Sequence, residues 1–280
     1  MVEHVVLITG ANSGIGKVTA RALAKKGATV IMHARDANRG ESARQEIIEQ
    51  TKNQNVHLLL ADFADVDAID TLSAVVINQF PRLNVLINNA VIIPRERTLA
   101  ANGIEMQFMV NHLAAFLLTQ RLLPTLRANG PARIVNVSST VHQYGELVLD
   151  DLERAQRPYS NFGWSQYQDT KLMNVAFTLE LAARLGDTNV TVNCLHPGII
   201  RTKLLRDVPM GWLMSAFFRP PNAGAVTTTY VATSPKVAYT HGAYFERKRV
   251  VKHNKLADDA DLRHGLWERS VARLNMPEMA

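Results

Sequence analysis

The sequence predicts an α/β fold, a single doubly wound domain with a mainly parallel central sheet of about seven strands flanked by helices. Two observations carry this. Short apolar runs alternate with stretches of helical periodicity along the 280 residues, the pattern of strand–helix units with right-handed crossovers. The first apolar run also ends in a glycine cluster that opens the first helix. Composition is ordinary for a globular chain, 47% hydrophobic and 20% charged. No repeat, low-complexity tract or polar linker divides it, so residues 1–280 are read as one domain.

Each element has its own warrant. Residues 4–9 are a short apolar run read as a buried parallel strand. Residues 14–26 follow with helical periodicity and stop at Gly27, a C-terminal signal. Residues 28–33 form a second strand, 38–50 a polar helix, 56–61 a third strand, and 66–80 a helix halted by Pro81. The alternation repeats with a strand at 84–88, a long apolar helix at 103–127 and a strand at 133–138. A long helix at 164–185, strands at 190–195 and 242–246, and a closing helix at 259–274 complete it. Ligands on such sheets bind outside the carboxyl ends of the strands.

Charge is mildly basic: 31 Lys plus Arg against 25 Asp plus Glu, net +6. A phosphate-rich cofactor accounts for such an excess as well as a polyanion does. The densest basic stretch, Arg247 to Arg249 with Lys252 and Lys255, has no interleaved aromatics and reads as a solvated loop, not a nucleic-acid surface. The single cysteine, Cys194, lies in an apolar run and points to a reducing, cytoplasmic setting. The first strand begins near Met1, which leaves no signal peptide to expect, and no run of about 20 apolar residues predicts a membrane span. His142 and His196 lie in separate loops without ligand spacing, so no metal is expected.

The run Thr9-Gly10-Ala11-Asn12-Ser13-Gly14-Ile15-Gly16 joins the first strand to the first helix. Glycines allow close backbone approach to a pyrophosphate, and the helix start offers N–H groups and a positive dipole end. After the second strand an acid would bind a ribose 2′-OH. Here Ala34 stands in its place and Arg35 follows, a guanidinium suited to a 2′-phosphate. That favours NADP(H) over NAD(H). Asp36 comes one position late and reads as a helix cap. Asp62 and Phe63 end the third strand, where an adenine ring could be flanked; Asn88, Asn89 and Ala90 end the fourth.

Tyr167 and Lys171 stand four apart, on one face of a helix. An ammonium beside a phenol favours the phenolate and lowers the tyrosine pKa. A tyrosine so tuned exchanges a proton with a carbonyl or alcohol near neutral pH.

Together, the glycine loop, Asn88-Asn89-Ala90, Asn111, Ser138-Ser139, Tyr167, Lys171 and Pro197-Gly198 resemble the short-chain dehydrogenase/reductase family, a Rossmann-fold family, over nearly the whole chain. Residues 110–119, 133–139 with His142 and Gly145, 196–202 and 242–245 resemble its retinol dehydrogenase-like branch. The resemblance implies Tyr167 as general acid/base and Lys171 as the group that lowers its pKa and holds the nicotinamide ribose. It implies Ser139 as the substrate-oxygen donor, and Asn111 as anchor of a water leading from Lys171 to solvent. Ser138 reads as structural. Gly10, Asn12, Ser13, Gly14, Ile15, Gly16, Arg35, Asp62, Phe63, Asn89, Ala90, Pro197, Gly198, Ile200 and Thr202 would line the cofactor, with Thr202 on the carboxamide. A homodimer or homotetramer through the two long central helices is also implied.

One departure stands out. Val91 follows Asn88-Asn89-Ala90 where the family usually has glycine. A positive φ there would strain a β-branched residue; otherwise Val91 narrows the floor near the nicotinamide. Residues 145–163 and 203–222 should flank the substrate cleft. The second is rich in Leu, Trp, Met and Phe and reads as a lid over a lipophilic substrate, a peripheral membrane contact or packing on the body. Two functions follow: an NADP(H)-dependent carbonyl/alcohol oxidoreductase for a bulky apolar substrate such as a retinoid, steroid or lipid aldehyde, or a catalytically silent nucleotide-binding regulator or scaffold.

Overall fold

The computed structural model describes residues 4–198 and 221–276. Its eight-stranded sheet has the order β3-β2-β1-β4-β5-β6-β7-β8. The strands are β1 (Val5–Ile8), β2 (Thr29–Ala34), β3 (Val56–Leu60), β4 (Val85–Asn88), β5 (Ala132–Val137), β6 (Val190–His196), β7 (Tyr244–Glu246) and β8 (Arg249–Val250). The first seven run parallel, and β8 pairs antiparallel with β7. Strand order reverses between β1 and β4, which opens a crevice at their carboxyl ends.

The helices are α1 (Gly14–Ala24), α2 (Ala37–Thr51), α3 (Val66–Gln79), α4 (Met106–Phe108), α5 (Ala114–Ala128), α6 (Trp164–Leu185), α7 (Pro221–Thr233) and α8 (Ala260–Arg273). Strand residues alternate between two cores, as period-2 geometry requires. Val6 and Ile8 of β1 join Leu23 of α1 and Val231 of α7 on one side. Val5 and Leu7 join Phe116 of α5 and Met173 of α6 on the other.

Three elements depart from the sequence reading. The chain does not enter a helix at 103. Gly103 has φ +76°, Leu99 bridges Glu105, and the Glu105 carboxylate caps α4 by accepting the N–H groups of Gln107 and Phe108. A π-helical turn, Met109–Leu113, then joins α4 to α5. Finally, α7 and β8 are additional elements; α7 is rich in Thr and Val, which carry little helix signal.

The chain's own α8 packs along α6 and reaches Phe116 of α5. Trp267 packs 4.8 Å from the Phe116 ring and 6.1 Å from Phe177, with the Arg184 guanidinium 4.2 Å from its ring. Ser270 meets His112 at 2.9 Å. Of α6, Ala183 and Arg184 are the residues most open to solvent. No helix among the described residues is long and apolar enough to cross a membrane.

Candidate active site

The glycine loop lies between the ends of β1 and β4. Gly10 has φ +63°, and a Cβ there would stand 3.0 Å from Ala90 Cα; one on Gly16 would collide with the Gly10 carbonyl. Both positions therefore exclude side chains. Asn89 clamps the loop, its Nδ2 donating to the carbonyls of Thr9 (2.8 Å) and Gly10 (3.3 Å). Thr9 Oγ1 accepts from the N–H groups of Asn89 and Ala90 at 2.8 and 2.9 Å. Asn12 and Ser13 precede α1, whose first N–H groups, from Gly14, Ile15 and Gly16, have no partner within the helix. Val91 is not among the residues with positive φ, so it is unstrained and partly buried beside this floor.

At the end of β2, Ala34 is buried and Arg35 exposed. Asp36 caps α2, accepting the Arg39 N–H at 2.8 Å. Asp62 is exposed after β3, but the Phe63 side chain is not available to flank an adenine. It lies in the core, stacked at 4.0 Å on His33, so only its backbone can face a ligand.

The reacting groups meet at the ends of β5 and α6. Ser139 follows β5 and caps a short 3₁₀ turn, Thr140–Tyr144. Its side chain lies close enough to Tyr167 to favour the phenolate. Lys171 lies one turn on, its Nζ 5.6 Å from the Tyr167 ring centroid and donating to the Val137 carbonyl at 2.9 Å. Ser138 donates to the Lys171 carbonyl at 2.8 Å and has the structural role read for it.

The electrostatics differ from expectation. Burial pushes Tyr167 up to about 12, opposed only by the nearby Ser139 side chain, and pushes Lys171 down to about 8. Desolvation disfavours the charged form of both, and the ammonium faces a strand-end carbonyl instead of the phenol oxygen.

Asn111 occupies the π turn, a feature frequent at functional sites. Its amide pairs both ways with the Ile92 backbone, at 2.9 and 3.0 Å, and reaches Thr170 Oγ1 at 3.3 Å. It thus ties the loop following Val91 to α6. His142 and His196 serve backbone groups: His142 Nδ1 bonds the Ser139 carbonyl at 2.6 Å, and His196 Nδ1 accepts from the Thr140 N–H. Pro197 and Gly198 (φ +101°) end β6, while Ile200, Thr202 and the 203–220 stretch lie outside the described residues.

The 145–163 segment is pinned, not loose. Asp169 of α6, fully buried, accepts from Arg154 Nε at 2.8 Å and from the Glu146 N–H at 2.8 Å. Arg157 bonds Asp151 at 3.0 Å and Glu146 at 2.8 Å. Buried Glu105 bonds Tyr159 and Gln166, the neighbour of Tyr167. Sequence reading missed His33, Glu105, Arg154 and Asp169; the nearest signal was polar residues inside otherwise apolar elements. Asn161, Phe162 and Gly163, all with positive φ, lead into α6, and Trp164 packs 5.0 Å from the Tyr167 ring.

A sequence profile of the short chain dehydrogenase family matches residues 4–149. This chain belongs to that family. The short-chain dehydrogenase is 43% identical to mouse retinol dehydrogenase 14, over 95% of this chain and 84% of the relative. It is 38% identical to human retinol dehydrogenase 13, over 95% and 83%. These relatives place it in the retinol dehydrogenase-like branch, as an oxidoreductase of carbonyl/alcohol pairs. An uncharacterised protein from Mycobacterium paratuberculosis shares the fold at a TM-score of 0.80 and 32% identity, with 100% of this chain and 96% of that one covered. The 3-ketoacyl-(acyl-carrier-protein) reductase from Brucella melitensis, solved with NADH, superposes at 0.68 with 25% identity, covering 88% and 98%.

Proposed function

We propose that this short-chain dehydrogenase interconverts a carbonyl and an alcohol on a bulky apolar substrate, with NADP(H) as cofactor and Tyr167 as general acid/base. The observation that carries the reading is the Ser139–Tyr167 hydroxyl pair, one helical turn from buried Lys171 at the carboxyl edge of the sheet. The dinucleotide fits the residues present: Gly10 and Gly16 leave room for backbone approach, and the start of α1 offers N–H groups to a pyrophosphate. Exposed Arg35 beside small Ala34 supports a 2′-phosphate. Lys171 would hold the nicotinamide ribose.

A bound nicotinamide supplies or takes up the hydride. In reduction, Ser139 and Tyr167 donate hydrogen bonds to the substrate oxygen as negative charge develops there, and Tyr167 releases its proton. Burial keeps the phenol protonated near neutral pH, the form that donates to the substrate oxygen in reduction. Trp164 on Tyr167 and the half-exposed Phe162 support an apolar substrate. A homodimer or homotetramer through the two long helices would have to accommodate α8, which packs on α6. Buried, free Cys194 suits the reducing cytoplasm.

Tyr167→Phe tests the mechanism. Turnover should fall about 10³-fold or more, consistent with loss of a positioned acid, with NADPH affinity nearly unchanged. Full activity in that variant rejects the mechanism. Tight NADPH binding by the parent, with no turnover across a broad aldehyde and ketone panel, would point to a regulator instead.

A further inference from the structure

We propose that His33 is a positioning residue of the dinucleotide site: its imidazole fixes the glycine loop to the end of β3 and thereby sets cofactor affinity. The inference rests on reading the β1–α1 loop as the nucleotide cradle. Two successive loop amides end on this one residue. The Gly10 N–H donates to His33 Nδ1 at 3.2 Å, and the Ala11 N–H donates to the His33 carbonyl at 2.9 Å. With Nδ1 accepting, the ring proton sits on Nε2, which donates to the Ala61 carbonyl at 3.1 Å. One tautomer satisfies both contacts. The ring is locked in place by Phe63, stacked nearly parallel at 8°.

This geometry makes the ring more than core filling. Gly10 is held at positive φ against Ala90, so its peptide has little freedom to turn. A partly buried N–H at such a fixed position needs an acceptor, and the loop would have to shift to find another. Ala61 precedes Asp62, the position read as the adenine side of the site. His33 therefore joins the pyrophosphate loop and the adenine-side loop into one unit. Both ring nitrogens are engaged by backbone, so it has no contact left to offer substrate.

Three replacements separate the roles. In His33→Asn, the amide oxygen can take the place of Nδ1 and accept from Gly10, but the side chain is too short for Ala61. His33→Gln reaches Ala61 and loses the Gly10 acceptor. His33→Leu fills space and makes neither bond. NADPH affinity, kcat at saturating NADPH, thermal unfolding and amide exchange of residues 10–16 are measured for each. His33→Leu should bind NADPH about tenfold more weakly, equal to about 1.4 kcal/mol. It should exchange faster across 10–16 and keep kcat within about twofold. His33→Asn should recover most of the affinity and His33→Gln should not. The proposal is overturned if His33→Leu binds NADPH like the parent with unchanged exchange. It is also overturned if Asn and Gln lose affinity equally, in step with unfolding temperature, since that pattern is core filling. Failure of the parent to bind either dinucleotide would instead remove the reading beneath it, and exchange at residues 10–16 would still judge the loop contact.

Discussion

The two sides of the sheet's carboxyl edge are held by different chemistry. Around β1, β2 and β3 the loops are fixed mainly by neutral side chains on backbone groups: Asn89 on Thr9 and Gly10, His33 on Gly10 and Ala61. Beside α6, the 145–163 segment is held by charges: Arg154 on Asp169, Arg157 on Asp151 and Glu146. Arg154 even takes φ +45°, unusual for a side-chain-bearing residue, to reach its partner. The cofactor side is thus held by neutral hydrogen bonds, which salt screens little. The catalytic side depends on a partly buried ion network that fails strongly when one member is removed.

Acid should give the largest effect and reach both sides. Burial pushes His33 and His196 down to about 4 and His112 to about 3, against about 6.5 in an unfolded chain. The unfolded chain binds more protons in that window. Stability should therefore fall as pH drops from about 6.5 towards 4, by up to about 1.4 kcal/mol per pH unit for each histidine. Urea unfolding across a pH series checks this, and a flat profile over that range would contradict it.

Asp169→Asn should come next, costing about 3–5 kcal/mol because it leaves the buried Arg154 guanidinium with only the exposed Glu146 carboxylate, at 3.2 Å, as its anion. Activity should fall while NADPH affinity in the folded fraction stays within about twofold. An equal loss of affinity would show that the two sides are one unit. Lys171→Met should abolish turnover yet stabilise the fold by about 1–3 kcal/mol at pH 7, because the buried ammonium is disfavoured there. With a folded pKa of about 8 against about 10.4 unfolded, that gain should fade as pH rises through this interval. Thermal melts at pH 7 and 10 decide it. Arg35→Ala is the mildest: about tenfold weaker NADPH binding, with NADH unchanged, measured by titration. Equal affinity for both in the parent would remove the cofactor preference.

Much of this arrangement was readable in advance because it is local. Residues 164–185 form α6 with the bounds their periodicity sets, and Asp36 caps α2 as its lateness suggests. The glycine loop sits where a strand, loop and helix meet. What escaped reading is either long-range or too short to have a period. Arg154 and Asp169 are 15 residues apart, and no pattern announces that pair. His33 looks like one polar residue in a strand until Gly10 and Ala61 are brought to it. The two-residue β8 has no alternation to detect, and Thr and Val conceal α7. The direction of the Tyr167 shift is hidden from a sequence because it comes from burial and from a Lys171 ammonium turned to the Val137 carbonyl.

The wide turn at Met109–Leu113 makes chain length itself part of the specification. An α-helix advances about 100° per residue, and a π turn takes up one surplus residue without rotating what lies on either side. Removing a single residue there would relax the turn to an ordinary helix and swing Asn111 away from the Ile92 backbone that it grips on both edges. This stretch should therefore tolerate substitution far better than deletion, since a one-residue deletion would unhook the wall beside Tyr167 while leaving every other residue type intact.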